Sequence, residues 1–162
     1  MPVSDFDVQT DSGVIILSPG GSISPPTIKL NGMTTEWAML AGVSSTGNST
    51  WTDVGVAVDV DPSSLAGNFK LYFNFTLEVS NGSLTVEARL YNLTSSSEVS
   101  FGGTISTSNT SATSYSLSLY DGSTLAPNFS LSSASYVTQI KLLAASATDV
   151  GIIKNAIIRC EW

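Results

Sequence analysis

The sequence predicts an all-β protein, built as one antiparallel β-sandwich of about eight to ten short strands. Apolar and polar residues alternate with a period of two through several segments, and turns rich in Gly, Ser, Thr and Asn separate those segments at short intervals. No long segment has the apolar spacing of a helix. With 162 residues, the chain is long enough to bury a core without metals or disulfides.

The N-terminal part of the sequence predicts four strands, over residues 14–18, 27–30, 36–43 and 53–59. Residues 18–26, SPGGSISPP, form a loop by composition. We therefore expect residues 1–26 to be an extended N-terminal arm and residues 27–162 to be a single domain. Residues 38–41 could form one helical turn, but Gly32 and Gly42 argue against a longer helix.

The clearest alternation predicts a β-hairpin over residues 68–92. Its first strand has apolar residues at Phe69, Leu71, Phe73, Phe75, Leu77 and Val79. The pair Asn81-Gly82 follows, which is the strongest short signal for a hairpin turn. A second alternation has its apolar positions at Leu84, Val86, Ala88 and Leu90. Further strands are expected downstream, over residues 99–107, 114–120, 135–144 and 151–162.

The composition indicates a polar but weakly charged surface. Hydrophobic residues make up 42% of the chain and charged residues 12%, while 28 Ser and 17 Thr supply much of the polarity. The net charge is -7 and there is no basic run, so the chain lacks the electrostatic pattern that binds nucleic acid or anionic membranes. No stretch approaches the length of a membrane-spanning helix, and residues 1–10 lack the apolar segment of a secretory signal.

Residues for ordinary catalysis or metal binding are scarce. The chain has no histidine, and its single cysteine, Cys160, is expected to be a small buried hydrophobe. Asp59 with Asp61, and Glu78 with Glu87, could in principle act as paired carboxylates. Solvated charges on an outer strand face explain these acids equally well. We therefore expect neither an enzyme nor a protein with a cofactor.

Two other polar groups have simple structural interpretations. Residues 59–64, DVDPSS, could wrap a calcium ion with oxygen ligands. Asp-Pro-Ser-Ser is first of all a turn sequence, so we favour a turn and expect no metal. Glu87 and Arg89 are two residues apart on the outer face of a predicted strand, which indicates a loose surface ion pair.

Four aromatic residues are candidates for contact with a partner or a glycan: Trp51, Tyr91, Tyr120 and Trp162. Trp51 lies in a polar stretch at a strand edge, and a core position, a subunit contact and a sugar-stacking platform all remain open for it. Trp162 closes the last predicted strand and could cover the end of the sandwich or dock on a neighbouring subunit. Trp37 precedes apolar residues, so we expect it in the core.

Residues 87–94, EARLYNLT, resemble a strand-and-turn motif of jelly-roll modules in tailed bacteriophages and in bacterial carbohydrate-binding proteins. In those modules a Ser/Thr-rich loop follows, then a Tyr-containing strand and a closing strand rich in Ile and Val. Residues 136–140, YVTQI, and 151–158, GIIKNAII, occupy these places here. The resemblance covers residues 68–162 and implies a sandwich of jelly-roll type. It transfers no catalytic or ligand residue.

Among these modules, the chain looks most like the decoration (cement) proteins of phage capsids. The resemblance implies a structural virion protein that is made in the host cytoplasm, binds the major capsid protein on the capsid surface and forms a homotrimer. Residues 1–26 would contact the capsid or exchange strands. The alternative is a carbohydrate- or receptor-binding module of a phage tail fibre or baseplate, with an exposed platform at Trp51, Tyr91 or Tyr120. A glycoside hydrolase or lyase is a third hypothesis, which the few carboxylates and the missing histidine disfavour.

Overall fold

The computed structural model describes residues 9–11, 14–16, 34–65 and 67–162. Strands β1 (Gln9–Asp11) and β2 (Val14–Ile16) pair antiparallel as a small hairpin, with Gln9 opposite Ile16. The predicted strand over residues 27–30 and the predicted loop over residues 18–26 lie outside the described residues. Most of the expected N-terminal arm also lies outside them, so its role and the domain boundary at residue 27 stay predictions.

Ten strands follow from residue 34 onwards, with one 3-10 turn, Pro62–Ser64, between two of them. The strands are β3 (Thr34–Ala38), β4 (Val43–Thr46), β5 (Thr52–Val60), β6 (Lys70–Val79), β7 (Val86–Asn92), β8 (Ser97–Glu98), β9 (Ile105–Thr107), β10 (Thr113–Tyr120), β11 (Ala134–Leu142) and β12 (Gly151–Glu161).

These strands form two antiparallel sheets that pack as a sandwich. One sheet has the order β10-β6-β12, and β3 and β4 share the next position along β12. The other has the order β5-β11-β7, and β8 and β9 share the next position along β7. Each sheet therefore has four strand positions, and neighbouring positions come from remote parts of the chain. This wrapped order of eight positions confirms the predicted sandwich of jelly-roll type.

The core lies between the two sheets and follows from the alternation in the sequence, because successive side chains of a strand point to opposite faces. The buried residues of β6 are each at most 3% exposed, and they are Leu71, Phe73, Phe75, Leu77 and Val79. From the opposite sheet, β7 buries Val86, Ala88 and Leu90. Both sheets therefore contribute one apolar face to a single core.

Cys160 and Trp37 lie where the sequence predicts them. Cys160 is fully buried in β12. Its burial, and to a smaller extent the nearby charge of Glu161, raise the pKa of its thiol to about 11. Trp37 is partly buried in β3 and packs against the core. The thiol is therefore neutral at physiological pH and acts as a small hydrophobe.

The predicted hairpin over residues 68–92 is wrong, because β6 and β7 belong to different sheets. The Asn81-Gly82 turn does form, with Asn81 Oδ1 accepting a hydrogen bond from Ser83 N at 3.1 Å and Asn81 O accepting one from Leu84 N at 3.0 Å. The turn carries the chain across the sandwich instead of back along β6. Each strand has one apolar face, and placing the two strands in opposite sheets buries both faces in the same core.

Two other predicted strands are divided in the structure. The segment 36–43 contains a corner at residues 39–42 between β3 and β4, and residues 39–41 are bent rather than helical. The N–H groups of Met39 and Leu40 both donate to Ala156 O at 2.9 Å, which fixes the corner on β12. The segment 99–107 is a loop that ends in β9, with the short strand β8 just before it.

Candidate functional site

The outer face of the sheet β5-β11-β7-β8 carries a cluster of polar and aromatic side chains. Alternation along β7 and β11 turns one side chain in two away from the core. These outward residues, with neighbours on and beside β5 and β8, are termed the polar face: Trp51, Asp53, Glu87, Arg89, Tyr91, Glu98, Gln139 and Lys141. The register places Gln139 opposite Arg89 and Lys141 opposite Glu87.

A row of hydrogen bonds crosses the polar face from one edge to the other. Gln139 Nε2 donates to Asp53 Oδ1 at 2.6 Å, and Arg89 Nε donates to Gln139 Oε1 at 2.7 Å. Arg89 Nη1 also lies 3.2 Å from Glu98 Oε2. These four residues belong to β5, β11, β7 and β8, so the row links all four strand positions of the sheet. The row holds its side chains in fixed positions.

The aromatic rings of the polar face pack against its cations. Arg89 Cζ lies 4.2 Å from the ring centroid of Trp51 and 4.9 Å from that of Tyr91. Lys141 Nζ lies 4.6 Å from the ring centroid of Trp51. Each such contact stabilises an exposed site by about 0.5 to 1 kcal/mol. Trp51 is therefore a partly buried surface residue outside the sandwich core, and its role as a subunit contact or a sugar platform stays a prediction.

The expected ion pair between Glu87 and Arg89 is wrong, since each residue pairs across strands. Glu87 Oε2 lies 2.8 Å from Lys141 Nζ on β11, and Arg89 pairs with Glu98 on β8. Lys141 is directly opposite Glu87, where Cβ atoms lie about 5 Å apart, whereas residues two apart on one strand are separated by about 7 Å. Glu98 is opposite Tyr91, and the long side chain of Arg89 reaches it diagonally.

The acids considered as a catalytic pair, Glu78 and Glu87, lie on opposite outer faces because β6 and β7 belong to different sheets. Glu78 Oε1 lies 2.7 Å from Lys154 Nζ. At the possible calcium segment, Asp61 Oδ1 accepts a hydrogen bond from Ser63 N at 3.2 Å and begins the 3-10 turn, as the turn interpretation predicts. Within the described ranges, no three His, Cys, Asp or Glu side chains gather as a metal site requires.

The motif that carries the sequence resemblance has a structural role. Asn92 ends β7 and is only 3% exposed. Its Oδ1 accepts a hydrogen bond from Ser95 N at 3.1 Å, and its Nδ2 donates to Asn128 O at 3.0 Å. The side chain therefore shapes the turn between β7 and β8 and ties it to the loop before β11.

Tyr120 and Trp162 lie at one end of the other sheet, where a cleft of about 650 Å³ opens. Its walls are residues 68–70, Tyr72, residues 121–123, Glu161 and Trp162, and it is termed the end cleft. Tyr120 supports these walls, since its ring centroid lies 5.4 Å from that of Phe69 and its hydroxyl donates to Gly122 O at 2.9 Å. The four predicted contact residues are thus divided into two pairs on two sheets.

A third surface, which the sequence reasoning missed, lies along one side of the sandwich. Residues 37–50 and 54–58 contain no Asp, Glu, Lys or Arg, and they are termed the uncharged edge. Val43 and Val56 lie on it and are 65% and 61% exposed, the highest values among the large apolar side chains that the structure describes. The run of residues without charged side chains could have indicated this surface. The composition of the whole chain does not show it, because it does not say where charged residues are missing.

Hydrogen bonds join the two sheets at the uncharged edge. Val56 N donates to Met39 O at 2.8 Å, and Asn155 N donates to Gly42 O at 2.9 Å. Gly55 permits the first contact, because its φ is +75° and a Cβ atom there would lie 2.0 Å from Met39 O. The corner at residues 39–42 therefore bridges β5 and β12.

The fold and its surfaces define a jelly-roll sandwich with a polar face, an end cleft and an uncharged edge. No protein-family model and no curated protein matches the chain. Within the described part of the chain, no helix is long and apolar enough to cross a membrane.

The chain is similar in fold to several solved structures of infectious bursal disease virus. They include the Gt strain, at 9% identity and a TM-score of 0.46, and a mutant VP2 protein in derived T=1 particles, at 8% identity and a TM-score of 0.48. A VP2 subviral particle matches at 8% identity with a TM-score of 0.44. The alignments cover 98% to 99% of this chain and 36% to 42% of those chains, so the chain spans about two fifths of their length. A likeness at this level assigns neither a family nor a function.

Proposed function

We propose that the chain is a structural virion protein that stabilises a capsid through contacts between subunits, in the specific form of a phage decoration or cement protein. Eight-stranded jelly rolls occur in viral capsid domains and in lectins, so the fold is compatible with assembly and with glycan binding. The uncharged edge is the observation that favours assembly.

The uncharged edge has the composition of a protein interface. Monomeric proteins rarely expose continuous apolar surfaces larger than a few hundred square ångströms, and interface centres are depleted of charge. Here the exposed residues Ala41, Val43, Val56 and Ala57 lie in the two charge-free segments, and Lys154, which lies opposite Val43 on β12, is already paired with Glu78. Burial of a valine side chain stabilises by about 1.5 kcal/mol or more, so covering both valines would contribute substantially to association.

The negative net charge of the chain opposes contact between subunits over most of the surface. At a net charge of -7, two copies of the chain, or one copy and another acidic subunit, repel each other over most of their surfaces. A surface without ionisable groups can be brought into contact without desolvating a charge. Few ionisable groups border the uncharged edge, so association there has a low electrostatic cost.

Strand β5, which forms part of the uncharged edge, is also the end strand of its sheet. It has nine residues and contains neither Pro nor Lys, although Asp53, Asp59 and a register irregularity opposite Tyr136 and Thr138 protect part of it from pairing with another chain. Of its backbone groups, Val56 N is occupied by Met39 O. A neighbouring subunit lying against β5 would cover the remaining edge.

The finer features of this proposal come from the sequence resemblance. We propose the major capsid protein as the partner, a homotrimer as the oligomer and the capsid surface as the location, after synthesis in the host cytoplasm. Residues 1–26 are proposed to be an arm that precedes the domain of residues 27–162 and contacts the capsid. Trp51 and Tyr91 of the polar face are proposed as a second contact area.

Charged substitutions at the two exposed valines test the uncharged edge. Val43→Lys combined with Val56→Lys is expected to convert the oligomer into monomers, because burying two unpaired ammonium groups opposes association. The measurement is molar mass by light scattering after size-exclusion chromatography. Leu143→Lys is the matched control, since Leu143 is 53% exposed and lies outside the uncharged edge, and it is expected to leave the oligomer intact.

A separate measurement tests the capsid role. The wild-type chain is expected to raise the melting temperature of expanded phage heads that lack their own decoration protein, and the double lysine variant is expected not to. A wild-type chain that is monomeric at high concentration and leaves that melting temperature unchanged would contradict the proposal. Circular dichroism of each variant separates a lost contact from a lost fold.

The carbohydrate- or receptor-binding alternative gains no specific support from the polar face. Arg89 and Lys141 already pack against the ring of Trp51, and their charges are paired with Glu98 and Glu87. These existing contacts engage the groups that would hold a sugar there.

A further inference from the structure

The end cleft has the dimensions of a small-ligand site. Its volume is about 650 Å³, and ligand pockets commonly occupy about 300 to 1,000 Å³. Three segments that are distant in the sequence form its walls, namely residues 68–70, residues 121–123 and the end of β12. The fold therefore brings separate polar and aromatic groups together around one space.

Hydrogen bonds fasten the loop over residues 121–123. Asp121 Oδ1 accepts hydrogen bonds from Thr124 N at 2.7 Å and Ser123 N at 2.9 Å. These bonds lower the pKa of Asp121 to about 2, so this carboxylate is ionised at neutral pH. The Tyr120 hydroxyl bond to Gly122 O fastens the same loop. A ligand would meet walls that are already ordered, which reduces the entropic cost of binding.

The groups that line the end cleft match the two kinds of surface on a sugar ring. Trp162 and Tyr72 supply aromatic surface, against which the C–H face of a pyranose packs. Asp121 and Glu161 supply carboxylate acceptors, and Lys70 supplies an ammonium donor. Sugar hydroxyls both donate and accept, and hydrogen bonds to charged groups are stronger than neutral ones.

The charges of the end cleft discriminate between ligand classes. The two carboxylates, Asp121 and Glu161, are balanced by the ammonium of Lys70 and by the guanidinium of Arg159, whose Nε lies 3.4 Å from Glu161 Oε1, so no net charge favours a phosphate, sulfate or carboxylate ligand. A purely apolar ligand would desolvate these groups without replacing their hydrogen bonds. We propose that the end cleft binds a neutral hexose unit of a glycan. This inference does not rest on the capsid proposal, and either can fail without the other.

Titration with neutral sugars tests the inference. Glucose, galactose, mannose and N-acetylglucosamine are added separately to the full chain, and binding is followed by NMR chemical shifts. At least one sugar is expected to bind saturably. Trp162→Ala is expected to weaken that binding by about tenfold or more, through loss of the stacking surface. Trp51→Ala is the matched control and is expected to leave the affinity unchanged, because Trp51 belongs to the polar face.

Three further variants distinguish a binding role from a folding role. Lys70→Ala removes an exposed side chain, and Asp121→Asn keeps a loop-bonding oxygen while removing the charge. Lys70→Ala is expected to retain the wild-type melting temperature, and Asp121→Asn is expected to fold with a slightly lower one, because the folded chain favours the charged form of Asp121. Both are expected to weaken sugar binding several-fold. Trp162→Tyr keeps an aromatic ring and is expected to retain most of the affinity.

Three results would overturn the inference. The first is that no neutral sugar binds, and the second is that Trp51→Ala abolishes binding while Trp162→Ala does not. The third is that sialyllactose or glucose 6-phosphate, which are anionic, binds more tightly than the neutral sugars.

Discussion

The buried thiol of Cys160 makes the free energy of unfolding depend on pH. Its thiol has an ordinary pKa of 9.0, and in the folded chain burial raises this pKa to about 11. Between these values the unfolded chain loses the thiol proton while the folded chain keeps it. Deprotonation then favours the unfolded state, so the stabilising contribution is complete below pH 9 and is lost as the pH rises towards 11.

We expect the free energy of unfolding of the wild-type chain to fall more steeply over this range than that of Cys160→Val. The difference between the two chains should change by roughly 2 kcal/mol, as a shift of about two pKa units implies. Urea denaturation at neutral pH and at intervals up to pH 11 measures this difference. The pKa of Tyr136 is also raised by burial, but Tyr136 is present in both chains and cancels. A difference that stays constant with pH would contradict the expectation.

The orientation of single side chains was predictable from the sequence, and their partners were not. Alternation placed Glu87, Arg89 and Tyr91 on an outer face, and the structure agrees. Gln139, which accepts a hydrogen bond from Arg89, lies 50 residues further along the chain. The order of strands decides such a contact, and no local pattern encodes it.

At the scale of the strand, the Asn81-Gly82 turn shows where local reasoning ends. The alternation on both sides of the turn correctly predicted two strands with one buried face each. It could not show whether those strands pair with each other or face each other across the core, because both arrangements bury the same side chains. The choice depends on β10, β11 and β12, which pair with β6 and β7 and come much later in the chain.

Engineered disulfides discriminate between the two arrangements. In the structure Thr76 lies opposite Ser114 on β10, with their hydroxyl oxygens 3.5 Å apart. Thr76→Cys with Ser114→Cys, in a Cys160→Ala background, is therefore expected to form a disulfide under mild oxidation. Thr76→Cys with Glu87→Cys is the matched control, since a hairpin around Asn81-Gly82 would pair these two residues. Mass spectrometry after thiol alkylation measures both products, and a disulfide in the control alone would contradict the observed strand order.

At the scale of the whole molecule, the number of one-faced strands was sufficient to predict a sandwich. The uncharged edge was harder to foresee, because it combines a charge-free segment with a corner that two sheets hold in place. Residues 39–42 reach their position through hydrogen bonds to β5 and β12. That surface exists only after strands from both halves of the chain have assembled.

The dependence of assembly on salt distinguishes association through the uncharged edge from association through the polar face. Each copy carries a net charge of -7, so subunits that meet at a charge-free surface still repel each other at a distance. Raising NaCl from about 0.01 M to about 1 M shortens the Debye length from about 30 Å to about 3 Å and screens this repulsion. We therefore expect the dissociation constant of the oligomer to decrease, on the order of tenfold, in sedimentation equilibrium.

An interface built on the charges of Arg89 and Lys141 would respond in the opposite direction: its dissociation constant would increase with salt, and Arg89→Ala would weaken it. Dissociation of the wild-type oligomer at high salt would exclude the uncharged edge as the contact.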